Sequence, residues 1–333
     1  MDERDERDGL PRTVEGGPAK HRGRIADRQT TAQRLLLAAA EESYSGDLDV
    51  DWDADVAPNL AWFPTRLSSI HGSPEWECLT PDQRIELGRH ELVNVLTFAM
   101  RAEAAITLLM FRNIGESANL MSDVTRYTLK AIQEETRNSA MFSRLVNKTG
   151  LAINRPHREA WLTAKFVLFV PAGILTSGLI LLLQEAIHSY ATAMAVDPTV
   201  QPHVRQAMRI HEMSDQRHLE YSLNEFRLAV GRAGRLRRRV TGAVLARATA
   251  GLYPLILNGA IYPSIGIDSR SGLRIAHDEP QYSLRARALT DSFVSHAREA
   301  GLFRTRHERA ILRRGKVWPA EVPDTVPAGG RDG

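Results

Sequence analysis

The stretch RIHEMSDQRHLEY (209–221) places two histidines and an aspartate at intervals of four and three residues. In an α-helix, positions i, i+4 and i+7 share one face, so His211, Asp215 and His218 are expected to point the same way. Imidazole and carboxylate groups on one helix face are candidate ligands for a metal ion. The same pattern is also typical of a solvated helix face, so the triad predicts a metal site only if other helices complete it.

Three acidic residues lie in apolar surroundings on other parts of the chain. Glu103 lies within VLTFAMRAEAAITLLMF, and Glu185 directly follows the uncharged run FVLFVPAGILTSGLILLLQ. Glu135 lies within IQEETRNSAMF and is followed three residues later by Asn138. A buried carboxylate is costly unless it is paired or binds a metal, so the three glutamates call for one shared explanation. The neighbouring Glu134 falls off this face and is predicted to be solvated or paired.

Four long helical patterns carry these residues and predict the elements that must position them. In chain order they are helix A (about 82–113), helix B (about 117–148), helix C (about 158–195, interrupted near Pro171) and helix D (about 200–231). Shorter helical patterns occur at about 30–44, 240–257 and 281–315, and an irregular segment precedes helix A. Because no strand-like alternation persists, we predict an all-α, single-domain four-helix bundle with additional flanking helices.

This arrangement matches the di-metal carboxylate bundle, in which two helices give one glutamate each and two others give Glu-x-x-His. Carboxylate oxygens suit oxidised iron, and imidazoles complete the coordination without adding charge. Helices A and C supply the single glutamates, and helices B and D supply the paired positions. The predicted metal ligands are Glu103, Glu135, Asn138, Glu185, His211, Asp215 and His218.

The lead-in LSSIHGSPEWECLTPDQR, the helix-B motif EETRNSAMF and the helix-D motif HEMSDQRH resemble those of the ferritin-like di-iron oxygenases of the p-aminobenzoate N-oxygenase type. The resemblance covers about residues 60–230, and the family's helix-D motif, His-x-x-x-Glu-x-Arg-His, is matched by His211, Arg217 and His218. Asp215 replaces a longer glutamate, and Asn138 replaces a metal-binding histidine. An amide oxygen is a weak ligand, so one of the two metals is expected to bind more weakly than the other.

The resemblance implies a ferritin-like fold and a non-haem di-iron oxygenase of secondary metabolism. Such an enzyme activates O2 and oxidises a small-molecule amine, in this family an arylamine, through the hydroxylamine towards a nitro product. It implies two iron ions, with a manganese/iron pair or a single iron as alternatives, an external electron donor and a homodimer. Arg137 and Arg217 are expected to form ion pairs that orient the carboxylates, and His188 is expected to be a neighbouring hydrogen-bond donor.

Two other hypotheses remain beside this one. The substitution at Asn138 is compatible with a mononuclear or mixed-metal oxidase or hydroxylase. It is also compatible with a degenerate metal-binding bundle that retains the fold without catalysis. The number of metal ions bound per chain separates the first alternative from the di-iron hypothesis.

Bulk composition excludes several partners. Lysine and arginine total 43 against 40 aspartates and glutamates, and the net charge of +3 is too balanced to indicate nucleic-acid binding. Cys78 is the only cysteine, which favours a reducing, cytoplasmic location. The uncharged run before Glu185 is nearly long enough to span a bilayer, but Pro171 and two glycines interrupt it. We therefore predict a helix buried in the core and no membrane partner.

The ends of the chain are charged or rich in proline and glycine, and the N-terminus lacks the apolar core of a signal peptide. We predict a disordered N-terminal arm over residues 1–27, one helical oxygenase-like domain over 28–316, and a disordered tail over 317–333.

Overall fold

The computed structural model describes residues 19–41, 46, 48–154 and 169–319, and side chains from residue 28 onward. Within these ranges the secondary structure is helical, and the only β feature is the isolated bridge between Ala61 and Val200. The α-helices are α1 (Ala19–Glu41), α2 (Pro74–Glu77), α3 (Pro81–Gly115), α4 (Asp123–Thr149), α5 (Ile174–Val196), α6 (Pro202–Arg232), α7 (Arg235–Ile256), α8 (Ser269–Asp278), α9 (Tyr282–Ala288), α10 (Asp291–Glu299) and α11 (Arg306–Arg314). The prediction of an all-α fold is confirmed.

Local signals in the sequence explain where the bundle helices begin and end. The Thr80 hydroxyl accepts from the backbone N–H of Gln83, whose side chain accepts from Thr80 in return, and Pro81 occupies the first position of α3. The Ser122 hydroxyl accepts from the backbone N–H of Thr125 at the start of α4, and Gly150, at φ 70°, ends this helix in the left-handed conformation that glycine adopts readily. These helices therefore start and stop where their capping residues require.

Helices α3, α4, α5 and α6 are the predicted helices A to D and form the bundle. Helix α1 packs against α4 and α6, whereas α7 packs against α5 and is itself covered by α11. The segment Thr65–Leu67 and a longer one, Gly259–Ile265, are 3-10 helices, and the latter packs against α3. Two sides of the bundle are thus covered by flanking helices, as predicted.

Several predicted boundaries differ from the structure. Helix α1 begins at Ala19, inside the predicted N-terminal arm. Val317, the first residue of the predicted C-terminal tail, is 1% exposed. The long C-terminal pattern is three separate helices: Thr290 departs from helical geometry between α9 and α10, and Gly301 and Phe303 adopt positive φ between α10 and α11. Residues 1–18, 320–333 and the first part of helix C (158–168) lie outside the described residues.

Among the described residues, three stretches are long and apolar enough to cross a membrane by length and composition alone: Pro81–Gly115, Ile174–Val196 and Arg235–Ile265. In the fold, 56%, 67% and 50% of their most apolar windows are buried. Much of their apolar surface therefore packs inside the protein, and the absence of a membrane partner stays a prediction.

Candidate metal centre

Five of the seven predicted ligands meet in the interior of the bundle. They come from α3, α4 and α6, and each is at most 3% exposed. We call this group the Glu/His cluster: Glu103, Glu135, His211, Asp215 and His218. The face of α6 that carries His211, Asp215 and His218 is therefore buried against α3 and α4. The sequence alone does not show whether this face is solvated or buried.

Glu103 of α3 faces His211 of α6. Oε1 of Glu103 lies 3.5 Å from Nε2 of His211, and the hydroxyl of Ser139 donates to the other carboxylate oxygen. Burial raises the pKa of Glu103 to about 7, although the contact with His211 opposes this rise. Burial lowers the pKa of His211, but Glu103 and the neighbouring carboxylates outweigh burial and raise it. Glu103 and His211 therefore form a buried carboxylate–imidazole pair that can share a proton.

His218 lies between two adjacent glutamates of α4. Its Nδ1 is 3.2 Å from Oε1 of Glu135, and its Nε2 is 2.9 Å from Oε2 of Glu134. Burial opposes protonation of the ring, but the two carboxylates outweigh burial and raise the pKa of His218 to about 10. Glu134 is buried and paired with His218. The prediction that it is paired is confirmed, but the sequence did not indicate that it lies beside the site.

Glu185, predicted as a ligand, does not lie in the Glu/His cluster. Its Oε1 is 3.4 Å from Nε2 of His296 on α10, on the opposite side of α5. The preceding residue, Gln184, faces inward instead, is 2% exposed, and donates from Nε2 to Oε1 of Glu135 at 3.1 Å. The prediction for Glu185 is wrong because α5 is apolar on all sides, so its sequence carries no periodicity to show which face is inward.

Asn138 and Asp215 are both buried, but each has a partner outside the cluster. The amide of Asn138 donates to the hydroxyl of Ser214 at 3.3 Å, and Oδ2 of Asp215 lies 2.8 Å from Nδ1 of His188. The hydrogen bond to Asp215 raises the pKa of His188. His188 is therefore a direct neighbour of the cluster, in the supporting place predicted for it.

The two predicted arginines behave differently. Arg217 donates to Oε1 of Glu134 at 3.3 Å and to the carbonyl of Met213 at 3.0 Å, so it holds the carboxylate that in turn contacts His218. Arg137 is exposed, and no ion pair joins it to a carboxylate within the described ranges. The expectation for Arg137 is not met, because its position on α4 turns it away from the cluster.

A cavity of about 450 Å³ lies between α1, α3, α4, α5 and α6, and none of the cluster residues lines it. We call it the lateral cavity. Ile180 of α5 and Tyr221 of α6 line it, each one helical turn from Gln184 and His218. Tyr221 hydrogen-bonds Thr128 of α4 at 3.2 Å in the same wall. The cavity is large enough for a small aromatic molecule.

The donor atoms of the cluster suit a divalent cation. Oε1 of Glu103, Nδ1 of His211 and Nδ1 of His218 are buried without a hydrogen-bond partner. Neighbouring ligands around an octahedral cation with bonds of about 2.1 Å lie about 3 Å apart, close to the 3.5 and 3.2 Å between the facing glutamate and histidine atoms. Mixed carboxylate and imidazole ligands favour iron or manganese.

In the described ranges, no three acidic, histidine or cysteine side chains converge on one point. Instead, each histidine contacts glutamate: His211 contacts Glu103, and His218 contacts Glu134 and Glu135. Cation binding must displace the protons shared in these contacts, as metal binding to histidine generally does. The residue types and their burial fit a cation, and the side chains must move to converge on it.

A helical bundle with buried glutamates and histidines on its central helices defines the class of ferritin-like metal-carboxylate proteins. The model of the family described as p-aminobenzoate N-oxygenase AurF matches residues 25–301. The chain belongs to this family. It is therefore an oxidoreductase of a family that acts on a small molecule with O2, and the predicted recognition and fold are confirmed.

Solved structures show the same fold at low sequence identity. Three variants of an R2-like ligand-binding oxidase, described with Mn/Mn, Mn/Fe and Fe/Fe cofactors, give TM-scores of 0.51, 0.50 and 0.50 at 12%, 12% and 13% identity. In each comparison the match covers 82% of this chain and 92% of the other. No curated protein matches the sequence.

Proposed function

We propose that this protein is a metal-dependent N-oxygenase that uses O2 to oxidise a small amine, with an arylamine as the best-supported substrate class. Family membership supports the N-oxygenation. The observation that carries the proposal is the buried Glu/His cluster, one helical turn from a cavity of about 450 Å³. In this cavity an amine nitrogen can approach the cluster while the rest of the molecule contacts the bundle helices.

The reaction requires electrons from outside the chain. An amine, O2, two electrons and two protons give a hydroxylamine and one water, so one oxygen atom enters the new N–O bond and the other is reduced. The sequence contains no flavin or nicotinamide motif. An external donor of two electrons per turnover is therefore part of the proposal.

The cluster residues would hold iron or manganese, and the metal would supply the electron exchange with O2. Glu134 and Arg217 fix the ring orientation of His218. His188 lines a surface pocket of about 310 Å³ and contacts Asp215 through Nδ1, so its ring can pass a proton between solvent and the interior. The lateral cavity binds and orients the amine.

Oxygen-isotope labelling tests the proposed reaction. The full chain, loaded anaerobically with ferrous iron, is mixed with p-aminobenzoate or another arylamine, a chemical reductant and 18O2, and the products are analysed by mass spectrometry. We expect a hydroxylamine or nitro product carrying 18O. Metal-loaded protein that yields no labelled nitrogen product from a panel of arylamines would overturn the N-oxygenation.

A pair of glutamates on α3 provides a matched control. Glu103→Gln removes a charge from the cluster and should abolish labelled product. Glu116→Gln makes the same change at the exposed end of α3 and should leave product formation as in the wild type.

Two further predictions, a homodimer and a cytoplasmic location, are retained as parts of the proposal. Light scattering on the purified protein tests the first.

A further inference from the structure

We infer that the centre binds a single metal ion, through two histidines and the two glutamates that face them: Glu103, Glu135, His211 and His218. The inference rests on the proposed metal-dependent function and deepens it. It departs from the two-metal template, in which four helices supply four glutamates and two histidines. In this chain, α4, α5 and α6 each supply less to a second ion than the template requires.

Helix α5 supplies no inward-facing carboxylate. Its inward residue is Gln184, whose side-chain NH2 has no lone pair to offer a cation and whose carbonyl oxygen is neutral. Its Nε2 also donates to Oε1 of Glu135, so that oxygen already accepts a hydrogen bond. That oxygen keeps a lone pair for a cation, so Glu135 remains a ligand. Gln184 therefore removes one terminal carboxylate ligand of a second ion.

Helix α4 supplies no imidazole. Asn138 stands at the position of the template histidine, and its amide donates to the hydroxyl of Ser214. This contact joins α4 to α6 outside the cluster, so the amide is committed to packing between the helices. A second ion lacks its terminal histidine as well as its terminal glutamate.

The second bridge is compromised at Asp215. Aspartate is one methylene shorter than the template glutamate, and Oδ2 of Asp215 is held by Nδ1 of His188 at 2.8 Å. The shorter side chain reaches less far between two cations than glutamate does, and the contact with His188 holds one of its oxygens towards α5.

The remaining donors suit one ion. His211 and His218 lie on the same face of α6, and each faces a buried glutamate. Two histidines with carboxylates and open positions are the ligand type that holds a single non-haem ferrous ion and leaves room for O2.

Manganese(II) is the probe for this inference because its spectrum distinguishes one ion from a coupled pair. The full chain is loaded with Mn²⁺ without oxygen and desalted, and manganese per chain is measured with the electron paramagnetic resonance spectrum. We expect about one ion per chain and the resolved six-line spectrum of an isolated Mn²⁺. Two ions per chain with an exchange-coupled spectrum would overturn the inference and leave the proposed oxidoreductase function standing.

The two amides are tested by restoring the template residues. Gln184→Glu combined with Asn138→His should raise the content to about two ions and replace the six-line spectrum with a coupled one. Glu185→Gln alters the adjacent residue on the other face of α5 and should leave the content at one. If the double variant folds, as judged by circular dichroism, and still binds one ion, the amides do not set the stoichiometry. A wild-type chain that binds neither manganese nor iron would instead overturn the proposed function itself.

Discussion

The imidazole of His218 contacts Glu134 with Nε2 at 2.9 Å and presents Nδ1 to the interior, 3.2 Å from Glu135. Glu134 is itself held by Arg217 at 3.3 Å and Lys130 at 3.5 Å. Burial disfavours the charge of Glu134, but His218, Arg217 and Lys130 outweigh burial and lower its pKa. An ionised carboxylate thus fixes one ring nitrogen and leaves the other for a metal, which is the usual support of a metal-binding histidine.

Replacing Glu134 by glutamine should weaken metal binding by about tenfold to a hundredfold. The amide keeps the size of the side chain but loses the charge that orients His218 and makes its ring more basic. A competition titration of Mn²⁺ against a coloured chelator measures the change in Kd. Gln133→Ala, at the exposed preceding position, is the control and should bind as the wild type does. A Kd for Glu134→Gln within twofold of the wild type would contradict this role.

Glu185 should contribute to stability through His296 rather than to metal binding. The contact with Glu185 raises the pKa of His296, although partial burial opposes the rise. A histidine with a raised folded pKa contributes stability that is fully present below its unfolded pKa of about 6.5 and is lost as pH rises through the folded pKa. Glu185→Gln should therefore cost about 0.2–1 kcal/mol at pH 6 and much less at pH 9.

Urea denaturation of the wild type and Glu185→Gln at the two pH values measures this difference. His296→Gln should reproduce the same pH dependence, because it removes the other partner of the pair. A loss that is equal at pH 6 and pH 9 would show that the ion pair is not its cause.

The helices were predictable because their signals are local. Thr80, Pro81 and Gln83 define the start of α3 within four residues, and the long apolar patterns fix the bundle. The cluster on α6 was predictable for the same reason, since the spacing of His211, Asp215 and His218 places them on one face.

The inward face of α5 was not predictable from its sequence. The side chains of Gln184 and Glu185 point in directions about 100° apart around the helix axis. Both follow an apolar run that has no polar face, so the sequence does not show which of the two points inward. The role of Glu134 was hidden for a related reason. Its partners Arg217 and His218 lie on α6, and the relative rotation of two helices is a property of their packing.

Filling the lateral cavity should impair amine turnover without changing metal content. Ser177 lines the cavity from α5, two turns before Gln184, and Ser177→Phe places a ring where the amine is expected. We expect kcat/KM for the arylamine to fall by about tenfold to a hundredfold, since a displaced substrate loses its alignment with the centre. Ser143→Phe, at an exposed position of α4, should leave both quantities unchanged. An unchanged kcat/KM for Ser177→Phe would mean that the amine binds elsewhere.

Two glycine-to-alanine substitutions should have opposite effects on the free energy of unfolding. A Cβ at Gly178 of α5 would lie 2.7 Å from Cδ1 of Leu245 and 3.2 Å from Cε2 of Phe226, and both of these side chains are fully buried. Since the core there has no room to relax, Gly178→Ala should cost about 1–3 kcal/mol. Gly251 of α7 has no atom within 4 Å of the same position, so Gly251→Ala should stabilise by about 0.5–1 kcal/mol through helix propensity. Urea denaturation monitored by circular dichroism measures both, and a neutral Gly178→Ala would mean that α5 and α7 lie further apart than described.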